Sequence, residues 1–228
     1  DSTGGSEVAP ITQDYGTAVA APADPTRDGY AFTNWDPVVP TTMPAKDMTL
    51  TAQWAVVTYG IVYNLGGGTN DDANPATYTI ETSDITLSPA TKAGYTFAGW
   101  YDAAEGGTLV ESIAEGSAGN RTLYARWTAN TDIAYKVEHY RQDVSGDSYT
   151  KFEAIDHTGT TDAIVTAVAK EYTGFTENMT HRDRVTSGTI APDGSLVLKL
   201  YYARDTFDVT YQSNGGSAVA ATTGVRYD

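Results

Sequence analysis

The chain repeats itself. Ser2-Thr3-Gly4-Gly5-Ser6-Glu7-Val8-Ala9 returns as Ser213-Asn214-Gly215-Gly216-Ser217-Ala218-Val219-Ala220. A strand-like run, Phe207-Asp208-Val209-Thr210-Tyr211, precedes the second copy, and no such run precedes the first. The expectation is a stretch of a longer array, cut within a repeat at each end. Arrays act through length, spacing and multivalent surface more than through one buried catalytic pocket.

The pattern between these landmarks is that of strands. Short alternating runs such as Tyr59-Gly60-Ile61-Val62-Tyr63, Thr49-Leu50-Thr51-Ala52-Gln53-Trp54 and Ser195 to Tyr202 are bounded by Gly, Pro, Asn and Asp clusters. Ala191-Pro192-Asp193-Gly194 is a turn, because Pro presets φ and Gly accepts a positive one. It makes the last run of its module a hairpin arm. Helical periodicity is nearly absent. The best helix candidate is 160–170, where β-branched residues favour a strand as strongly.

Matching landmarks divide the chain. Arg27-Asp28-Gly29-Tyr30-Ala31-Phe32-Thr33-Asn34-Trp35 leads to Thr49 through Trp54. Lys92-Ala93-Gly94-Tyr95-Thr96-Phe97-Ala98-Gly99-Trp100 leads to Thr122 through Trp127. Lys170-Glu171-Tyr172-Thr173-Gly174-Phe175 leads to Leu196 through Tyr202, with Tyr in place of the terminal Trp. The expected modules are 1–55, lacking its first strand, then 56–128 and 129–204, both complete, and 205–228, the start of a further one. Opening strands place Tyr59/Ile61/Tyr63, Tyr135/Val137/His139 and Phe207/Val209/Tyr211 on one face. The first module's open edge calls for residues 206–212 or a strand of a neighbouring molecule, by strand exchange at the truncated ends.

Composition closes several routes. There is no cysteine, so disulfides, thiol catalysis and cysteine-ligated metals are excluded. Net charge is −15 and is spread over all four segments. No basic stripe is available for nucleic acid or for an anionic membrane surface. No apolar stretch is long enough to insert in a membrane as a helix. The acidity reads as solubility for an exported protein.

The Gly-Tyr-x-Phe-x-x-Trp pattern followed by Thr-Leu-(Thr/Tyr)-Ala-(Gln/Arg)-Trp resembles the internalin-type B repeat (Listeria-Bacteroides repeat family) of bacterial surface proteins. Tyr63-Asn64-Leu65-Gly66-Gly67-Gly68 and Tyr211-Gln212-Ser213-Asn214-Gly215-Gly216 carry the same resemblance. The third module resembles a mucin-binding-protein (MucBP) repeat through Tyr135-Lys136-Val137-Glu138-His139-Tyr140, Thr158-Gly159-Thr160, Tyr172-Thr173-Gly174-Phe175 and Ser187-Gly188-Thr189-Ile190. The resemblance implies mainly β or α+β modules of the β-grasp (ubiquitin-like) fold in an elongated array. It implies a cell-wall-anchored or secreted extracellular adhesin, of a Gram-positive bacterium, and no catalytic residues. Its implied partners are mucin, other host glycans or host surface proteins.

Each candidate for chemistry has a structural reading beside it. Trp35, Trp54, Trp100 and Trp127 could stack on sugars, but their regular placement argues for packing. His139, His157 and His181 lack metal spacing, and His139 takes the place of a core-side Tyr. Asp143-Val144-Ser145-Gly146-Asp147 with Glu153 fails the EF-hand register, since Ser148 and Ala154 stand where Gly and Glu are needed. A hairpin turn is expected there, and an acidic turn at Asn70-Asp71-Asp72. An isopeptide bond needs a desolvated Lys amine, and Lys136 beside Glu138 points to the solvent face. The sequons at Asn120 and Asn178 carry no weight in a bacterial protein. No catalytic, cofactor-binding or metal-binding residue is assigned, and no cofactor is expected. The chain reads as a non-catalytic stalk or binding region of an adhesin; the alternative is a set of accessory modules of a secreted multidomain enzyme.

Overall fold

The computed structural model describes residues 1–228. All its regular structure is β, without helix. The first module holds β1 (Tyr30–Asp36) and β2 (Thr51–Val56). The second holds β3 (Tyr59–Asn64), β4 (Thr77–Tyr78), β5 (Ile85–Thr86), β6 (Tyr95–Tyr101), β7 (Ser112–Ile113) and β8 (Arg121–Ala129). The third holds β9 (Ile133–Gln142), β10 (Tyr149–Gly159), β11 (Ile164–Thr166), β12 (Phe175–Glu177), β13 (Ser187–Thr189) and β14 (Val197–Arg204). Two last strands follow, β15 (Thr206–Val209) and β16 (Thr222–Arg226).

The second and third modules share one topology. Their main sheets run β4-β3-β8-β6 and β10-β9-β14-β12, and the pairs β5-β7 and β11-β13 form the small sheets. The central pair is parallel in both, β3 with β8 and β9 with β14. Parallel neighbours need a long crossover, and here the crossover carries the small sheet. The first module retains only the antiparallel pair β1–β2, with an isolated bridge Ala18–Thr42. Asp1 lies beside β2 in a parallel pattern, donating to Leu50 O at 2.8 Å and accepting from Ala52 N at 3.0 Å. The strand β15 pairs with β16 and with no strand of the first module. Two compact units result: Asp1–Thr91 with Phe97–Trp127, and Lys92–Thr96 with Thr128–Asp228.

Alternation sets each core. In the second module Ile61 is buried between half-buried Tyr59 and Tyr63, whereas Val62 is 57% exposed. Ile61, Tyr78, Leu87, Trp100, Ile113 and Leu123 form one buried cluster. Val137, Leu198, Leu200 and Tyr202 form the other. Removing such side chains from water is the main favourable term, roughly 1.5–3 kcal/mol for each large apolar one.

One open alternative is settled and three expectations change. Residues 160–170, which suited helix or strand alike, hold the strand β11, and Asp162 there has φ 61°. The turn at Ala191–Gly194 forms, with Gly194 N donating to Ala191 O at 3.0 Å. Yet β14 is no hairpin arm: it pairs with β9 and β12, and one isolated bridge, Val185–Lys199, ties it to the preceding segment. The strand predicted to fill the first module's edge from 206–212 instead makes a hairpin with β16.

The third change concerns correspondence. Phe32 pairs with Trp54, and Glu177, equally placed after its Gly-aromatic step, pairs with Tyr202. Tyr202 is therefore the counterpart of Trp54 and Trp127, and Leu198 of Leu123. Leu123 pairs with Tyr63, and Leu198 with Val137. His139 thus occupies the position of Leu65, not that of a core-side Tyr.

Candidate functional site

The tryptophans serve the fold. Trp100 is 2% exposed and donates to Ser88 O at 2.9 Å. Trp35 is buried in the first module, with its Nε1 unpartnered. Trp54 and Trp127 lie half-buried over glycine turns. Trp127 Nε1 donates to Leu65 O at 2.8 Å, and Trp54 Nε1 to Ser2 O at 3.2 Å. A Cβ on Gly5 would lie 2.6 Å from Trp54 Cζ2, and one on Gly68 would overlap the same atom of Trp127. The repeated glycines are sockets for the indole rings, which explains why the two features recur together.

A second device recurs at the glycine-aromatic step. Gly29, Gly94 and Gly174 have φ of 77°, 74° and 76°, where a side chain is strained. Their carbonyls accept from Val57 N, Asn130 N and Asp205 N, each at 2.9 Å. A Cβ on them would meet Ile80, Thr161 and Tyr227 respectively. Tyr30 OH donates to Glu81 at 2.7 Å, and Tyr95 OH to Asp162. Arg27 and Lys92 sit over the rings of Tyr30 and Tyr95, at 3.9 Å and 4.1 Å. The Arg/Lys-x-Gly-Tyr run is thus a joint that fastens a module's turn to the chain that follows. Its sequence signal was the glycine recurring in every module, which periodicity alone did not interpret.

The third module differs on the outer face of its main sheet. His181 stacks on Tyr201 with centroids 3.7 Å apart, and Tyr140 stacks on the same ring at 4.8 Å. Tyr149 meets His181 edge-on, and Asn178 Nδ2 donates to Tyr149 OH at 2.9 Å. The loop between β12 and β13 brings His181 onto the sheet. These groups, with Asp147 and Asp183, line an open cleft of about 730 Å³. Tyr140 OH donates to Glu138 at 2.6 Å, and that bond pushes the Tyr140 pKa up to about 12. The phenol is therefore a neutral donor at physiological pH.

On the inner face His139 is buried, with Nδ1 3.0 Å from Tyr202 OH. Lys170 N donates to that hydroxyl at 3.0 Å, and the tautomer of His139 sets which of Nδ1 and the hydroxyl donates to the other. Burial holds the His139 pKa below its ordinary value. His157 stacks on Tyr135 at 5.2 Å. The three histidines are apart in function: one core, one stacked beside the hairpin, one in the cleft. No group of three His, Cys, Asp or Glu side chains converges as a metal site.

The remaining candidates resolve into local structure. Asp143 to Ser148 is the β9–β10 hairpin turn, with Asp143 N donating to Ser148 O at 2.9 Å. Asn70–Asp72 is a turn whose neighbour Asn74 is buried and bonds Asn70 and Ser88. Lys136 is exposed and paired with Asp156 at 2.6 Å, far from a desolvated pocket. Glu138 pairs instead with Lys151 at 2.9 Å. Asn120 accepts from Gly60 N at 2.8 Å.

The Listeria-Bacteroides repeat domain profile matches residues 1–53 and 59–126, more than half of the chain. Internalin H of Listeria monocytogenes is 36% identical over 49% of this chain and 22% of its own length. A Gly-rich protein of Evansella cellulosilytica whose name refers to the membrane is 24% identical over 96% of this chain and 26% of its own. The chain spans about a quarter of the length of these relatives. No solved structure matches it. The third module lies outside the residues that the profile matches, although it repeats the second module's strand order. The profile match shows that the chain belongs to the Listeria-Bacteroides repeat domain family.

Proposed function

We propose that this is a non-catalytic repeat region of a bacterial cell-surface adhesin, extracellular and carried by a wall-anchored or secreted protein. The observation that carries this reading is the joint at Gly29, Gly94 and Gly174, one geometry used three times. Such a joint serves spacing and display, and nothing in it performs chemistry. The relatives named for internalin and for the membrane support the cell-surface setting.

The modules are β-grasp units. In support, the second strand, first strand, last strand and middle strand lie in that order, with the first and last parallel. The third module is the ligand-facing one, of the mucin-binding type. Its support is the polar-aromatic cleft at Tyr140, Tyr149, His181 and Tyr201, because binding sites combine aromatic walls with a few placed polar groups. The partners are mucin, other host glycans or host surface proteins. The test is binding of the 228-residue chain to immobilised mucin before and after enzymatic deglycosylation. Saturable binding lost with the glycans is expected. No binding by the folded chain would leave a spacer only.

A further inference from the structure

Arg141 is a guanidinium whose buried Nε has no acceptor. The chain has 29 acidic residues against 14 Lys and Arg, and this group meets none of those carboxylates. Arg141 in β9 makes no ion pair and no side-chain hydrogen bond, and its Nε is buried without an acceptor. Its guanidinium lies 3.3 Å from the Phe152 ring centroid, 4.2 Å from that of Tyr172 and 4.9 Å from that of Phe175. The rings hold the planar group by cation–π contact and offer it no acceptor.

This group forms part of a cleft of about 590 Å³, with Thr150, Lys151, Phe152, Thr173 and Arg204 among its walls. The other cations there are engaged. Lys151 pairs with Glu138, and Arg204 donates to Gln142 O at 2.8 Å and to Tyr227 O at 2.6 Å. Asp143 and Glu171 also border the cleft, yet neither pairs with Arg141. Asp143 is held instead by Ser148 Oγ, which donates to it.

We propose that this cleft binds a saccharide bearing one carboxylate or one sulfate, with Arg141 as the anchor. With Nε buried and rings on its faces, the guanidinium presents its two Nη groups to a ligand, and their parallel N–H bonds match the two oxygens of a carboxylate or sulfate. The acid-lined rim and the −15 net charge disfavour a polyanion. They admit a single charge on an otherwise neutral body. Phe152, 53% exposed, offers an aromatic surface, and Thr150 and Thr173 offer hydroxyls for a ring rich in hydroxyl groups. The site rests on the reading of the third module as ligand-facing and gives that reading a chemical class.

The test is NMR titration of the ¹⁵N-labelled 228-residue chain with glucuronate, galactose 6-sulfate, neutral galactose and an acetylated aspartyl peptide. Saturable shifts at Thr150, Phe152 and the Arg141 Nε–H are expected with glucuronate, with galactose 6-sulfate, or with both. The arm that binds identifies carboxylate or sulfate as the natural group. Arg141→Gln should weaken binding about tenfold or more, and Arg141→Lys, which keeps the charge but not the fork, should weaken it too. Thermal melting reports whether the variants fold, and the wild-type shift map stands without them. Equal binding of galactose, wild-type affinity in folded Arg141→Gln, or no shift with either acidic sugar would overturn the proposal. Tighter binding of the peptide would overturn its saccharide part. Mucin capture separates the two readings. Capture retained by Arg141→Gln sinks this site alone, and glucuronate binding without mucin capture sinks the adhesin reading alone.

Discussion

The second and third modules run six strands in one order, yet they close their cores with different chemistry at the same place. The second sets Trp127 over Gly68, with its indole N–H on Leu65 O. The third puts Tyr202 there and His139 where Leu65 stands, joined through a hydroxyl that also takes Lys170 N. The strand order therefore tolerates an apolar closure or a hydrogen-bonded one. What it requires is a large ring at that point of the last strand and a partner that leaves none of the ring's polar atoms unpaired. The outer faces diverge further. The second module shows Val62 to solvent and the third builds an aromatic stack there, while the unpaired Arg141 lies on the third module's inner face beside Tyr172 and Phe175.

The largest test of this contrast removes an apolar anchor that the third module lacks. Trp100→Ala should cost about 3–5 kcal/mol in the second module. Calorimetry should then show one early transition, with the transition of the third module in place; a common shift of both would deny separate cores. The socket comes next. Gly68→Ala forces a Cβ into the Trp127 ring and should cost about 1–3 kcal/mol by overpacking. Combining it with Trp127→Tyr should recover part of that loss in chemical denaturation, and strict additivity would count against a socket.

Tyr202→Phe keeps the ring and deletes the hydroxyl, leaving the buried His139 Nδ1 and Lys170 N–H without it. A loss of about 1–2 kcal/mol is expected in urea unfolding. A neutral result would mean the hydroxyl is incidental. The smallest effect is pH-dependent. Burial holds His139 below its ordinary value of 6.5; Lys170 and His157 also lower it, and Glu153 opposes. The unfolded chain therefore takes up this proton first as pH falls. His139 costs the third module nothing above pH about 6.5 and progressively more below it. His139→Leu, which installs the second module's residue, should flatten the melting temperature between pH 7 and pH 5. An unchanged pH slope would place the sensitivity in Glu138 or Glu153, whose carboxyls are both held below their ordinary values.

Much of the fold was legible because burial alternates with period two. Tyr59, Ile61 and Tyr63 were assigned to one face, and they point to the core. The Asp143–Ser148 turn followed from Gly146, which has φ 81°. Three features were not legible. Residues 160–170 carry alanines and β-branched residues in a mixture that suits helix or strand, and pairing with β13 decided it. The turn at Ala191–Gly194 suggested a hairpin, but a turn fixes only local reversal, and β14 finds its partners elsewhere. Arg141 gave no signal, since one Arg in an alternating strand is ordinary until its neighbours prove to be three rings and no carboxylate.

By itself the sequence determined the repeat, the β character and the packing role of the tryptophans. These follow from spacing and local preference, which a linear pattern records. Tertiary structure decided which glycine lies under which ring, that His139 replaces Leu65, that Gly29, Gly94 and Gly174 are joints, and that Arg141 is left unpaired. Each depends on residues brought together from distant points of the chain. A parallel central pair of strands sets those meetings, and its register is fixed by packing across the sheet and has no local signature.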